Sequence, residues 1–243
     1  MKILGVIPAR FGSSRLEGKP LMDICGKPMV WWVYQQATKV SMLSEVIVAT
    51  DDERIINVCD SFSIPSVLTS RECENGTERV AEVTRKIEAD MYITIQGDEP
   101  LIEPQTIEEL LNLMISEPEV QCATLKTKFI NPVDVVNATT PKVVTDNKDN
   151  IVLISRSPIP YPKAALEFDY FKPLGVYAFR PNAIAKYTSL EKGLLEKVEE
   201  IELLRFIENG IPIRIGEVVS SSIAVDTIKD LQRVRKIITN ISK

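Results

Sequence analysis

The stretch Ile3-Leu4-Gly5-Val6-Ile7-Pro8-Ala9-Arg10-Phe11-Gly12-Ser13-Ser14-Arg15-Leu16-Glu17-Gly18-Lys19-Pro20 sets a short apolar run directly against a loop of cations, hydroxyls and glycines. Ile3 to Ile7 reads as a buried strand, and Phe11 to Pro20 as the loop that leaves it. The same transition recurs downstream. Glu45 to Thr50 is β-branched and apolar and stops at Asp51; Met91 to Ile95 stops at Gln96-Gly97-Asp98. Helical patterns separate these runs: Met29–Val40 after Pro28, a helix of about Asp52–Asp60 with Asp51 as its cap, and Glu78–Ile87. Ile64–Leu68 is a further short strand candidate. Strand–helix alternation of this kind predicts an α/β fold built on a mostly parallel sheet with helices on both faces.

The second half is less regular. Pro104–Ile115 reads as a helix and Val120–Lys126 as extended, followed by an irregular region to about Asn150. Ile151–Ser155 and Leu174–Phe179 are strand candidates on either side of a loop holding Pro158, Pro160 and Pro162. Leu195–Ile207 reads as one helix stopped by Gly210, Ile211–Ile215 as extended, and Ile228–Ile241 as a closing helix after Asp226. The expectation is a single domain over 1–243, with this half supplying a small inserted region.

Of the 243 residues 44% are hydrophobic and 26% charged, an ordinary globular balance, and the net charge of -5 offers no general attraction to nucleic acid or an anionic membrane. No run is long and apolar enough to span a bilayer, and Ile3–Ile7 is too short for a signal-peptide core, which places the protein in the cytoplasm. The four cysteines are scattered and there is no histidine. His-based dyads, triads and zinc sites are therefore excluded, leaving carboxylates, Lys, Arg, hydroxyls, backbone groups and a hard metal ion.

In parallel sheets ligands gather beyond the carboxyl ends of strands, where Arg10, Asp51, Asp98 and, after the strand candidate Ile223-Ala224-Val225, Asp226 all fall. The 8–20 loop holds what a triphosphate needs: small residues that let backbone N–H groups approach, and guanidinium and ammonium groups that offset charge. It is neither a Walker A loop nor a dinucleotide fingerprint. Taken alone it reads equally as a solvated surface turn. Likewise Asp98 can cap a turn before Glu99-Pro100, and Asp226 can be the N-cap of the last helix.

The loop resembles the opening of the 3-deoxy-manno-octulosonate (Kdo) cytidylyltransferases. The likeness recurs, in order, at Gly26-Lys27-Pro28-Met29, Val48-Ala49-Thr50-Asp51, Gly76-Thr77-Glu78-Arg79-Val80-Ala81-Glu82, Gln96-Gly97-Asp98-Glu99-Pro100-Leu101-Ile102, Ser155-Arg156-Ser157-Pro158-Ile159-Pro160, Leu174-Gly175-Val176-Tyr177 and Val225-Asp226-Thr227. The resemblance implies a nucleotide-diphosphosugar transferase fold, a homodimer, and transfer of CMP from CTP to an acidic sugar with release of pyrophosphate, for lipopolysaccharide synthesis. It implies that Arg10, Lys19, Asp98 and Asp226 carry the reaction, and that Ala9, Arg10, Ser13, Ser14, Arg15, Lys19, Arg79 and Gln96 bind the nucleotide. Gln96, Arg156, Tyr177, Glu202 and Arg205 would meet the sugar, and Asp98 and Asp226 would hold Mg2+.

This sequence departs from the family pattern at several positions. Pro173, beside Lys172, stands where a histidine is usual, and Leu203 replaces an amide in Glu202-Leu203-Leu204-Arg205. Cys73 and Lys197 replace histidines, and Asn75 a serine. Pro173 and Leu203 fall on the expected sugar side, so a related 2-keto-3-deoxy acid (8-amino-Kdo or a nonulosonic acid) is the alternative substrate, and a non-catalytic nucleotide-binding protein the alternative function. Glu202 and Arg205, three apart, also read as a surface ion pair on one helix.

Overall fold

A computed structural model describes residues 1–12, 16–164 and 167–241, so the expected nucleotide contacts Ser13, Ser14 and Arg15 lie outside the described residues. The chain forms two compact units: Met1–Glu108 with Ser221–Lys243, and Glu109–Ser220.

The first unit opens with β1 (Ile3–Ala9), followed by a 3-10 turn at Lys19–Leu21 and the small hairpin β2 (Asp23–Ile24) and β3 (Lys27–Pro28). Helix α1 (Met29–Ala37) starts after Pro28 and buries Met29, Val30, Val33 and Ala37, a helical spacing that packs one face. Then come β4 (Glu45–Thr50), α2 (Glu53–Ser61), β5 (Ser66–Leu68), α3 (Gly76–Thr84) and β6 (Met91–Ile95). Strands β6, β1, β4 and β5 lie in that order, each pair parallel. The registers Ala9↔Thr50 and Val6↔Thr94 bring the carboxyl ends of β1, β4 and β6 to one edge. Ile93 and Ile95, Leu4, Val6 and Ile7, and Val48 and Ala49 are fully buried, so both faces of these strands are covered.

The cap of α2 differs from expectation. Asp52, not Asp51, accepts the Arg54 N–H and closes the helix start, which releases the Asp51 side chain for other use. Asn75 caps α3, accepting the Glu78 N–H at 2.9 Å, while Glu78 accepts the Glu74 N–H at 2.8 Å. The departure from serine thus preserves a capping residue and starts the helix two residues before Glu78.

Helix α4 (Pro104–Ser116) carries the chain into the second unit. There β7 (Cys122–Lys128) is followed by a 3-10 turn at Pro132–Val136, β8 (Lys142–Thr145), β9 (Ile151–Ser155) and β10 (Phe171–Phe179). The region read as irregular therefore contains β8, paired antiparallel to β9. β10 runs antiparallel to β7, with a register shift between Pro173 and Tyr177. Proline has no N–H to give the ladder, which fits an irregularity beginning there. Next come α5 (Pro181–Ser189), α6 (Leu194–Glu199), α7 (Leu204–Glu208) and β11 (Arg214–Glu217), which pairs parallel to β7.

The single helix expected over Leu195–Ile207 is two. Glu200 takes a left-handed conformation at φ 52 and ends α6, and Glu208 reaches back so that its carboxylate accepts the Leu195 and Glu196 N–H groups. Helix α8 (Ile228–Ile241) then belongs to the first unit, with Leu231, Val234 and Ile238 buried along one stripe. Among the described residues no helix is long and apolar enough to cross a membrane.

Candidate active site

The residues after β1 and β6, and those before α8, meet in the first unit. Gly97 makes this possible. A Cβ there would lie 2.7 Å from the Pro8 carbonyl oxygen, so only glycine lets the end of β6 approach the end of β1 so closely. One residue on, the Asp98 carbonyl accepts the Val225 N–H at 2.8 Å, drawing the 221–226 segment alongside. Ser222 donates to the buried Glu99 carboxylate at 2.7 Å, and Ser221 to Glu103 at 2.8 Å. Val225 itself is buried in an apolar cluster with Leu16, Ile24, Met29, Leu231, Val234 and Ile238, so the end of the cationic loop and the start of α8 share one core.

The result is an ion triad. Lys19 Nζ lies 2.7 Å from Asp98 Oδ2 and 3.4 Å from Asp226 Oδ1, with all three side chains partly buried. Asp226 is not the cap of α8. That role falls to Thr227, whose hydroxyl accepts the Asp230 N–H, while the Asp230 carboxylate accepts the Asp226 and Thr227 N–H groups. Nor is Asp98 spent on a turn; its carboxylate faces Lys19. Two carboxylates that converge on one cation are a donor set suited to a hard divalent ion completed by phosphate oxygens and water. Among the described residues no group of three or more His, Cys, Asp or Glu forms a metal cage, and such an ion needs none.

Arg10 follows β1 directly and is exposed, with Ala9 buried beside it; Gln96 follows β6 and is half-buried. Arg79, expected to bind the nucleotide, lies on α3. Only 2% exposed, it donates to Thr69 Oγ1 at 2.5 Å, to the Ser70 carbonyl at 3.3 Å and to Asp51 Oδ2 at 3.1 Å. Its guanidinium thus holds Asp51, whose other oxygen accepts the Phe11 N–H at 3.4 Å. Cys73 donates to Glu82 at 3.3 Å, and burial together with that carboxylate pushes its thiol up to about 12.

The expected sugar-side residues other than Gln96 lie in the second unit. Arg156 gives its guanidinium N–H groups to the backbone carbonyls of Glu199, Ala138, Thr139 and Glu200, and its own N–H to the Glu199 carboxylate. Tyr177 is half-buried on β10, its ring centroid 6.3 Å from that of Phe179. Arg205, expected to meet the sugar or to form a surface pair with Glu202, is buried rather than at the surface. It is 4% exposed and makes a two-pronged ion pair with buried Glu196, at 2.7 and 2.8 Å, stacked 4.1 Å over the Tyr187 ring. Glu202 precedes α7, and its carbonyl accepts from the Tyr187 hydroxyl at 3.4 Å. Leu203 is 1% exposed, so the amide-to-leucine change is a packing change in the core of this unit. Glu196 was missed at sequence level because it reads as one more charge on an exposed helix.

A cytidylyltransferase family model matches residues 4–217. A 3-deoxy-manno-octulosonate cytidylyltransferase of Escherichia coli is 43% identical over 96% of this chain and 95% of its own length. One from Fusobacterium nucleatum subsp. nucleatum is 44% identical over 96% of each chain. This chain belongs to the 3-deoxy-manno-octulosonate cytidylyltransferase family. It is an enzyme chain, and the fold agrees. A solved structure of CMP:2-keto-3-deoxy-manno-octonic acid synthetase complexed with CTP superposes with a TM-score of 0.93 at 42% identity, covering 99% of this cytidylyltransferase and 100% of that chain.

Proposed function

We propose that this enzyme transfers CMP from CTP to Kdo, giving CMP-Kdo and pyrophosphate, in the cytoplasm. The observation that carries the reading is the Lys19–Asp98–Asp226 triad, which draws on the residues after β1, those after β6 and the segment before α8. Nucleotidyl transfer needs charge neutralisation and alignment more than a covalent nucleophile, and this arrangement supplies both. Arg10 and Lys19 offset the triphosphate charge. Asp98 and Asp226 would hold Mg2+, which would supply Lewis-acid charge withdrawal from phosphate oxygens and lower the pKa of the attacking hydroxyl. The sugar hydroxyl oxygen bonds to the α-phosphorus, the bond to the bridging oxygen breaks, pyrophosphate leaves with that electron pair, and the hydroxyl proton passes to solvent.

Gln96, Arg156, Tyr177, Glu202 and Arg205 are assigned to the sugar acid on resemblance, and Arg205 is in addition paired with Glu196. The test is pyrophosphate release from CTP and Mg2+ with Kdo, 8-amino-Kdo and a nonulosonic acid offered separately. Kdo is expected to give the highest kcat/KM. Turnover with another acid and none with Kdo would reject the substrate, and none with any acid would reject the reaction.

A further inference from the structure

Phe11 is fixed on three sides. Its N–H donates to Asp51, its carbonyl accepts the Gly18 N–H at 2.9 Å, and its ring carries the Arg54 guanidinium, with Cζ 3.3 Å from the centroid. Phe11 and Gly18 are the two ends of the cationic loop. They also touch through the ring: a Cβ on Gly18, whose φ is +65, would stand 3.2 Å from two ring carbons. Lys19 comes immediately after Gly18, and the Leu21 N–H bonds back to the Gly18 carbonyl at 2.8 Å. The position of the Phe11 ring therefore sets where the loop closes and where the Lys19 stem begins.

Arg54 holds that ring from outside the loop, and it is itself held. Its Nε donates to Asp52 Oδ1 at 2.8 Å and its Nη2 to Oδ2 at 2.7 Å, the paired geometry that locks a guanidinium plane. Asp52 is at the same time the cap of α2, so the plane is referred to the helix start. The Arg54 side chain is 61% exposed, so fold stability has little at stake in it.

We propose that Arg54 is a positioning residue for CTP: stacked on Phe11 and braced by Asp52, it holds the ends of the phosphate loop at the spacing that aims Lys19 at the triphosphate. The proposal rests on the CTP reading above. It predicts a selective effect on one substrate. Arg54→Gln removes the plane and the charge, and it weakens CTP binding about fivefold, the size of one exposed cation–π stack. The KM for the sugar acid and the midpoint of thermal unfolding stay at wild-type values. Arg54→Lys keeps the charge without the planar fork and recovers only part of the loss.

Asp52→Asn separates positioning from simple attraction. If Arg54 worked by drawing phosphate through space, removing the neighbouring negative charge would tighten CTP. If it works by bracing the ring, the loss of the paired hydrogen bonds weakens CTP, as in Arg54→Gln. The measurements are calorimetric titration of CTP with Mg2+ and separate KM determinations for the two substrates. Wild-type affinity in Arg54→Gln, full recovery in Arg54→Lys, tighter CTP in Asp52→Asn, or a loss shared equally by both substrates would each overturn the proposal. A wild-type chain that binds CTP but releases no pyrophosphate rejects the reaction while leaving the affinity comparison decisive. A wild-type chain that does not bind CTP overturns both.

Discussion

Asp98 and Asp226 come from segments far apart in sequence, yet one ammonium group touches both. Each has a distinct consequence on removal. Asp98→Ala is expected to lower kcat by about 100-fold or more, the scale of losing one preorganised electrostatic group. The midpoint of melting should barely move, because Asp226 still partners Lys19; an unchanged kcat in pyrophosphate assays would remove Asp98 from the reaction. Asp52 offers a pH test. Arg54 holds its carboxyl at about 2 against an ordinary value of 3.8. Because the folded value is depressed, the pairing is at full strength above pH 3.8 and fades as pH falls through about 2. NMR titration should show that midpoint returning toward 3.8 in Arg54→Gln. Thiols sort by burial in the same way: exposed Cys25 should take up alkylating reagent first, and Cys59 and Cys73, pushed up to about 11 and about 12, last along with buried Cys122. Mass spectrometry of the native chain reads the order. Asp98 was legible in the sequence because a strand that stops near a carboxylate is a local pattern, whereas the strand expected at Ile223–Val225 before Asp226 is an extended segment outside the sheet. The ion pairs of Arg79 with Asp51 and of Arg205 with Glu196 were not legible, because each joins residues that no local pattern links.

Elements beginning at strong local signals were readable, and those ended by distant side chains were not. β1, β4, β6, α1 and α8 follow from apolar runs, Pro28 and an apolar stripe of helical spacing. The break between α6 and α7 depends on Glu200 adopting φ 52 and on Glu208 returning to bond α6, neither of which is a residue-type signal. The Glu196–Arg205 pair sits across that break, almost wholly buried. Leaving a buried charge alone is costly, so Glu196→Gln should destabilise the fold by about 3–5 kcal/mol, whereas replacing both partners by apolar residues of like volume should recover most of it. Chemical denaturation of the single and double variants decides this, and equal losses in the two would refute it. At the start of α3, Asn75→Ala should cost about 1 kcal/mol by the same measurement.

The whole chain leaves its first unit after Glu108 and re-enters it at Ser221, a division that no change in composition announces. The α/β character was plain from the first hundred residues; the excursion was legible only as a proline-rich irregular half. In the second unit Ile130, Val133, Val136 and Tyr161 are 71–89% exposed, a cost in water that a second copy would remove. The homodimer implied by resemblance is accordingly expected in light scattering, and Val133→Glu with Val136→Glu should shift it to the monomer mass. The bond from Val225 to Asp98 has a consequence in time as well as space. A ribosome makes Lys19 and Asp98 well before Asp226, so on the proposed reading a nascent chain stopped between Asp98 and Asp226 lacks one of the two carboxylates and is expected to release no pyrophosphate, however well its first hundred residues have folded.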